Sequence, residues 1–125
     1  MPLKSRVAAV QSLPEGTPVS YGCTAAFAEG GGRVAVLPIG YADGLHRLLS
    51  NEGSVWLGGQ PRPVMGRVCM DMCMIGLDDA ADIKAGDVAE IFGEHLPVEH
   101  HARLANTIQY ELLCAVSPRV PRVYL

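Results

Sequence analysis

The stretch Ser54-Val55-Trp56-Leu57-Gly58-Gly59-Gln60-Pro61-Arg62-Pro63-Val64-Met65-Gly66-Arg67-Val68 decides the architecture. Ser54 to Leu57 carries β-branched and aromatic side chains, which fit a half-buried pleat. Gly58-Gly59 is a two-residue turn signal, and Pro61 to Val68 returns as the second arm of a hairpin. Working outward, Cys73 to Leu77 and Asp87 to Phe92 predict two more strands, the latter entered through the turn Lys84-Ala85-Gly86. Upstream, Arg33 to Ile39 is almost continuously apolar, as expected for a strand buried on both faces, with Pro38 marking an edge or bulge near its end. Arg6 to Leu13 alternates imperfectly and stops at Pro14-Glu15-Gly16. Pro18-Val19-Ser20-Tyr21 is a short extended piece closed by Gly22, and Arg119 to Tyr124 reads as a last strand interrupted by Pro121.

Three short helices complete the pattern. Asp43 is placed to cap a turn carrying Leu45, Leu48 and Leu49. Val98 to Ala105 is a second helix, on which His100 and His101 point in different directions and read as a solvated face. Thr107 is placed to cap a third, with Ile108, Leu112, Ala115 and Val116 on one side and Ser117-Pro118 at its end. The expected fold is mainly β: one barrel-like domain over residues 1–125, closed or nearly closed, with a few short helices.

Composition narrows function by exclusion. The chain has 125 residues, of which 49% are hydrophobic, so a real core is within reach despite 14 Gly and 9 Pro. A chain of this size buries roughly two-thirds of the surface that its unfolded form exposes. The net charge of −3 and scattered basic residues give no electrostatic footprint for nucleic acid. The longest apolar run, Val34 to Ile39, is far short of a membrane span. Met1 to Arg6 has no apolar leader segment behind it, which points to the cytoplasm. Cys23, Cys69, Cys73 and Cys114 then read as free thiols. Cys69 and Cys73 have no matching second half and do not make a metal site. No nucleophile elbow is present, and Gly30-Gly31-Gly32 lacks dinucleotide-loop spacing and leads into a strand. Residue spacing alone reaches a β domain of unassigned function.

Four short stretches go further. They are Val19-Ser20-Tyr21-Gly22, Ile39-Gly40-Tyr41-Ala42-Asp43-Gly44, Gly66-Arg67-Val68-Cys69-Met70-Asp71, and Tyr110-Glu111 followed by Arg119-Val120-Pro121-Arg122. In this order and spacing, from about Leu3 to the end, the chain resembles the C-terminal domain of alanine racemases. The resemblance implies a β domain that follows a pyridoxal-phosphate-bearing α/β barrel. It implies a head-to-tail homodimer in which this domain completes the partner subunit's active site for interconverting L- and D-alanine. That reaction serves peptidoglycan precursor supply or alanine catabolism. The same β domain also occurs in broad-specificity and serine racemases. A free-standing, non-catalytic binding module stands as a reading from another class.

Site residues follow from the resemblance position by position. Tyr21 matches a catalytic base. Met70 matches the residue whose backbone N–H holds the substrate carboxylate, with Asp71 shaping that site or serving as a strand-end turn residue. Tyr110 matches the tyrosine that reaches the cofactor phosphate. Tyr41, Arg47, Arg67 and Ile108 match positions lining the substrate entryway. No metal is implied. The chain's two lysines are Lys4, near the N-terminus, and Lys84, in a turn signal, and neither reads as a Schiff-base lysine. The cofactor is therefore expected on the barrel of the full-length enzyme and not on this chain, which is expected to be inactive alone.

Overall fold

The computed structural model describes residues 1–20, 22, 25–27 and 29–125. The strands are β1 (Leu3–Arg6), β2 (Ala9–Leu13), β3 (Pro18–Val19), β4 (Ala25–Ala26), β5 (Gly32–Leu37), β6 (Ser54–Leu57), β7 (Gln60–Met65), β8 (Cys73–Leu77) and β9 (Val88–Phe92). Two helices follow, α1 (Val98–Leu104) and α2 (Gln109–Ala115). The fold is mainly β, as the residue pattern predicts. No helix among the described residues is long and apolar enough to cross a membrane.

Seven strands form one curled antiparallel sheet in the order β1-β9-β6-β7-β8-β5-β2. Its two end strands are consecutive in the chain, and this gives the barrel-like shape. Val7 exchanges hydrogen bonds with the 86–87 turn beside β9, whereas Ala8 N–H already donates to Val36 O on β5. One stretch of chain therefore changes partner between adjacent residues. β7 does the same on the far side: Gln60 to Pro63 pair with β6, and Val64 and Met65 pair with β8. β3 and β4 form a separate small hairpin.

The β6–β7 turn has φ of 65° at Gly58 and 84° at Gly59, the backbone that a two-residue hairpin requires and that glycine adopts without strain. Cys73, Ile75 and Leu77 of β8 face the core with a period of two, joined by Val55 and Leu57 of β6. On β5 the consecutive residues Val34 and Ala35 are both buried, so that strand is covered on two sides. Burial, and Cys69 nearby, push the Cys73 thiol up to about 12, so Cys73 is an uncharged packing residue. Cys69, Cys73 and Cys114 are free thiols, and Cys23 lies outside the described residues. Among the described residues no His, Cys, Asp and Glu group is arranged to hold a metal.

Four expectations are corrected. Asp43 caps no helix. The short 3-10 turn Arg47–Leu49 is capped by His46, whose Nδ1 accepts the Leu48 N–H, and Leu48 is exposed while Leu45 and Leu49 are buried. Thr107 does not cap α2 either: the cap position is Ile108, and the Thr107 hydroxyl donates to Glu111 Oε1 at 2.8 Å. Residues 117–125 form no strand. Pro118 and Pro121 lack the N–H that a ladder needs, and the Arg122 guanidinium donates to the Val116, Ser117 and Val120 carbonyls. Finally, His101 is not solvated. It is 2% exposed and its Nε2 lies 2.8 Å from Ser54 O. Val98, His101, Ala102 and Ala105 share the inward stripe of α1 at i, i+3, i+4, i+7 spacing, and the β6 carbonyl satisfies the one polar group on it.

A carbonyl can only accept, so His101 Nε2 carries a proton and donates. Burial depresses the His101 pKa and His100 adds to this, against a smaller opposing contribution from Ser54 O. The folded chain thus resists protonating His101, while the unfolded chain takes up a proton near pH 6.5. His101 therefore contributes fully above that pH, and its contribution falls as pH drops below it. Replacement by Gln is expected to destabilise the chain by about 1–2 kcal/mol at pH 7.5. In urea titrations the gap between wild type and His101→Gln should narrow at pH 5.5. A gap of equal size at both pH values would contradict this assignment.

Candidate functional site

The site is built from turns at one region of the sheet. Gly40 and Tyr41 follow the end of β5, and Cys69 to Met72 precede β8. The two segments touch backbone to backbone. Tyr41 N–H donates to Cys69 O at 3.0 Å and Ala42 N–H to Met70 O at 2.9 Å. Gly40 permits this approach, because a Cβ there would sit 2.2 Å from Cys69 O and 2.5 Å from Met70 O. A third bond, Cys69 N–H to Met72 O, closes the loop on itself.

This arrangement aims one donor outward. The Cys69 carbonyl and the Met70 N–H belong to the same planar, trans peptide unit and point in opposite directions. Tyr41 holds the carbonyl, so the Met70 N–H faces away from the 40–42 turn. No described group accepts a hydrogen bond from it, and Met70 is 57% exposed. A fixed, solvent-facing N–H can bind an anion without reorganising. Asp71 and Met72 continue the loop and are exposed.

Arg47 and Arg67 meet at a cleft of about 290 Å³ that Leu48 and Ser50 complete. Among the described residues neither guanidinium has a carboxylate within 4 Å. Ser50 is fully used in fixing the cleft, since its hydroxyl donates to Arg47 O and accepts the Val68 N–H at 2.9 Å. Asn51 holds Gly66 from the same side, through Oδ1 to the Gly66 N–H and its own N–H to Gly66 O.

Tyr21 lies outside the described residues, but both of its chain neighbours are fixed. Ser20 has φ of 66°, an uncommon conformation for a non-glycine residue, and its hydroxyl donates to Arg67 O. Gly66 lets the Val19–Ser20 backbone come this close, because a Cβ there would lie 2.6 Å from Val19 O. On the other side, the Arg67 guanidinium packs over Gly22, 3.3 Å from where a Cβ would stand.

The structure thus forms two pairs among the expected residues: Tyr41 and Met70 on two segments whose backbones are bonded, and Arg47 and Arg67 across one cleft. Ile108 and Tyr110 stand apart at the start of α2, both exposed, with no hydrogen bond to the Met70 loop. The link is at the other end of that helix. Gly44 approaches Ala115 and Val116 so closely that a Cβ would lie 2.8 Å from Ala115 O. Asp43, read from sequence as a helix cap, is the residue missed. The signal for it was the Gly40-x-x-Asp43 spacing of a side-chain-closed turn.

Residues 1–124 match the family model "Alanine racemase, C-terminal domain". The chain is 47% identical to the alanine racemase of Desulforamulus reducens and 46% identical to that of Methanococcus maripaludis. Each alignment covers all of this chain and 34% of the relative. Among solved structures, the alanine racemase of Streptomyces lavendulae superposes with a TM-score of 0.92 at 39% identity, over 100% of this chain and 33% of that one. That of Bartonella henselae, which carries covalently bound pyridoxal phosphate, gives 0.93 at 31% identity, over 99% and 34%. The chain spans about a third of the length of these relatives. It belongs to the alanine racemase C-terminal domain family.

Proposed function

We propose that this chain is the part of a pyridoxal-phosphate-dependent alanine racemase that supplies groups to an active site whose cofactor is held elsewhere. The observation that carries the reading is the Met70 N–H, which belongs to a peptide fixed by the Gly40 turn, sits on an exposed residue and donates to no group among the described residues. It suits one oxygen of an amino-acid carboxylate. The arginine pair at the 290 Å³ cleft suits the approach of the same anionic group.

The chain's own residues do not fit a covalently held cofactor. Lys4 lies exposed on β1, and Lys84 lies exposed in the turn where its N–H donates to Asp87. Neither lines the cleft between Arg47 and Arg67. In the proposed enzyme the cofactor, on a lysine of an α/β barrel, supplies the electron sink for loss of the α-proton. Tyr21 takes or returns that proton at its phenolic oxygen on one face of the α-carbon. A phenol titrates near pH 10 when unperturbed, so this role needs positive charge or strong donors from the barrel. Met70 N–H orients the carboxylate. Tyr110 would contact the cofactor phosphate, and Tyr41, Arg47, Arg67 and Ile108 would line the way in. The partner supplying the barrel is the second subunit of a head-to-tail homodimer.

Two outcomes follow. Mixed with pyridoxal phosphate, the purified chain should give no saturable, stoichiometric absorption band and no alanine turnover; a stoichiometric band with turnover would contradict the assignment. In the full-length enzyme, Tyr21→Phe keeps the ring and removes the proton acceptor, so racemisation should fall by about 10²- to 10⁴-fold in both directions. Solvent-deuterium incorporation followed by NMR should slow most for L-alanine, with exchange from D-alanine retained. Equal slowing for both enantiomers would make Tyr21 a packing residue.

A further inference from the structure

Asp43 is 7% exposed and sits where three segments meet. Its Oδ2 accepts the Gly40 N–H at 3.0 Å. Its own N–H donates to Gly40 O at 3.0 Å, and Leu45 N–H donates to the same oxygen at 3.1 Å. Both polar groups of Gly40 are therefore committed to the turn, which fixes the orientation of the next two N–H groups. Those are the N–H groups of Tyr41 and Ala42, which hold Cys69 O and Met70 O. On its outer side Asp43 O accepts the Ser117 N–H at 3.1 Å, and Oδ1 faces Arg119 Nε at 3.5 Å. The end of α2 is packed on Gly44, the neighbouring residue.

We infer that Asp43 is a positioning residue: by closing the Gly40–Leu45 turn it orients the Cys69–Met70 peptide, and so aims the Met70 N–H at the substrate carboxylate. The inference rests on the reading of Met70 as the carboxylate donor. The mechanical chain is short. The Asp43 carboxylate fixes Gly40, Gly40 fixes the 41 and 42 amides, and these clamp the two carbonyls of the Met70 loop. A charged acceptor on a buried backbone N–H is among the stronger side-chain hydrogen bonds, and its removal leaves that N–H unpaired. The bond to Arg119 is a different matter, because Arg119 is 60% exposed at its side chain and solvent screens the pair.

The test uses the full-length enzyme that carries this domain. Asp43→Ala should raise KM for both alanine enantiomers by about 10-fold while kcat changes by less than about 3-fold, because substrate positioning is lost and the proton-transfer groups remain. Asp43→Asn keeps an oxygen for the Gly40 N–H and should restore KM to within about 3-fold. Arg119→Met, which removes only the screened pair, should stay within about 2-fold. Hydrogen exchange supplies a readout independent of activity: in the unmodified protein the Tyr41 and Ala42 amides should be protected, and Asp43→Ala should accelerate both by at least about 10-fold. Unchanged KM alongside accelerated exchange would overturn the inference, and so would kcat falling as much as KM rises. Should Asp43→Ala not fold, unprotected Tyr41 and Ala42 amides in the unmodified protein, or a 10-fold KM rise in Asp43→Asn, would overturn it. A full-length protein that does not racemise alanine at all would sink the functional reading and leave the exchange result standing.

Discussion

The contact between Gly40 and the Cys69–Met70 peptide is the constraint on which the candidate site depends. A side chain of any size at residue 40 would occupy the space of two carbonyl oxygens. With glycine there, two successive N–H groups reach two successive carbonyls, and the loop before β8 is tied to the turn after β5. The same device recurs at Gly66, where the missing Cβ admits the Val19–Ser20 backbone. Two glycines therefore bring the Tyr41 turn against the Met70 loop and the Val19–Ser20 segment against the Gly66–Arg67 backbone. The site is made of loops, but each loop is tied to another by its main chain.

The curled, half-barrel sheet supplies the frame. The partner change between Val7 and Ala8, and the one within β7, let a seven-stranded sheet curl until its end strands are a single stretch of chain. The core behind it is apolar and regular, with Cys73, Ile75 and Leu77 on one face of β8. Against this frame the exposed groups Met70, Tyr41, Ile108 and Tyr110 stand out, because each is a large apolar or aromatic residue left in solvent next to a fixed turn. Ser20 adds a strained backbone held by its own hydroxyl, the kind of local conformation that persists where surroundings demand it.

Much of this was legible in residue order. The hairpin from Ser54, the Gly58-Gly59 turn and β8 to the residue follow from strand patterning and glycine placement, and the double burial of β5 follows from its nearly continuous apolar run. The failures have physical causes. His101 was read as polar and hence solvated, yet it falls on the same stripe as Val98 and Ala102, and a β6 carbonyl meets it. A tail with two prolines was read as a strand, although Pro118 and Pro121 lack the N–H that a ladder needs and the Arg122 guanidinium takes the carbonyls of Val116, Ser117 and Val120. Asp43 was assigned to the helix after it, when its partner lies three residues before it. Side-chain to backbone bonds of that kind compete with helix capping for the same residue types, and only the tertiary docking of Gly40 decides between them. Motif resemblance named the site residues, and the geometry places two pairs of them near each other: the Tyr41 turn against the Met70 loop, and Arg47 beside Arg67. The link between Tyr110 and the Met70 loop, through the far end of α2, is not visible in any local pattern.

The central claim is that this domain completes an active site whose cofactor sits on another subunit. Subunit mixing tests it directly. One full-length parent would carry Tyr21→Phe, and the other would lack the cofactor-bearing lysine of its barrel. Each homodimer should keep at most about 1% of wild-type activity. If the site is assembled between subunits, a mixed dimer regains one intact site from two defective chains, and random reassortment should restore about a quarter of the wild-type sites. If each chain builds its own site, every mixed dimer keeps both defects apart and activity stays at the level of the unmixed parents. That second result would contradict the account.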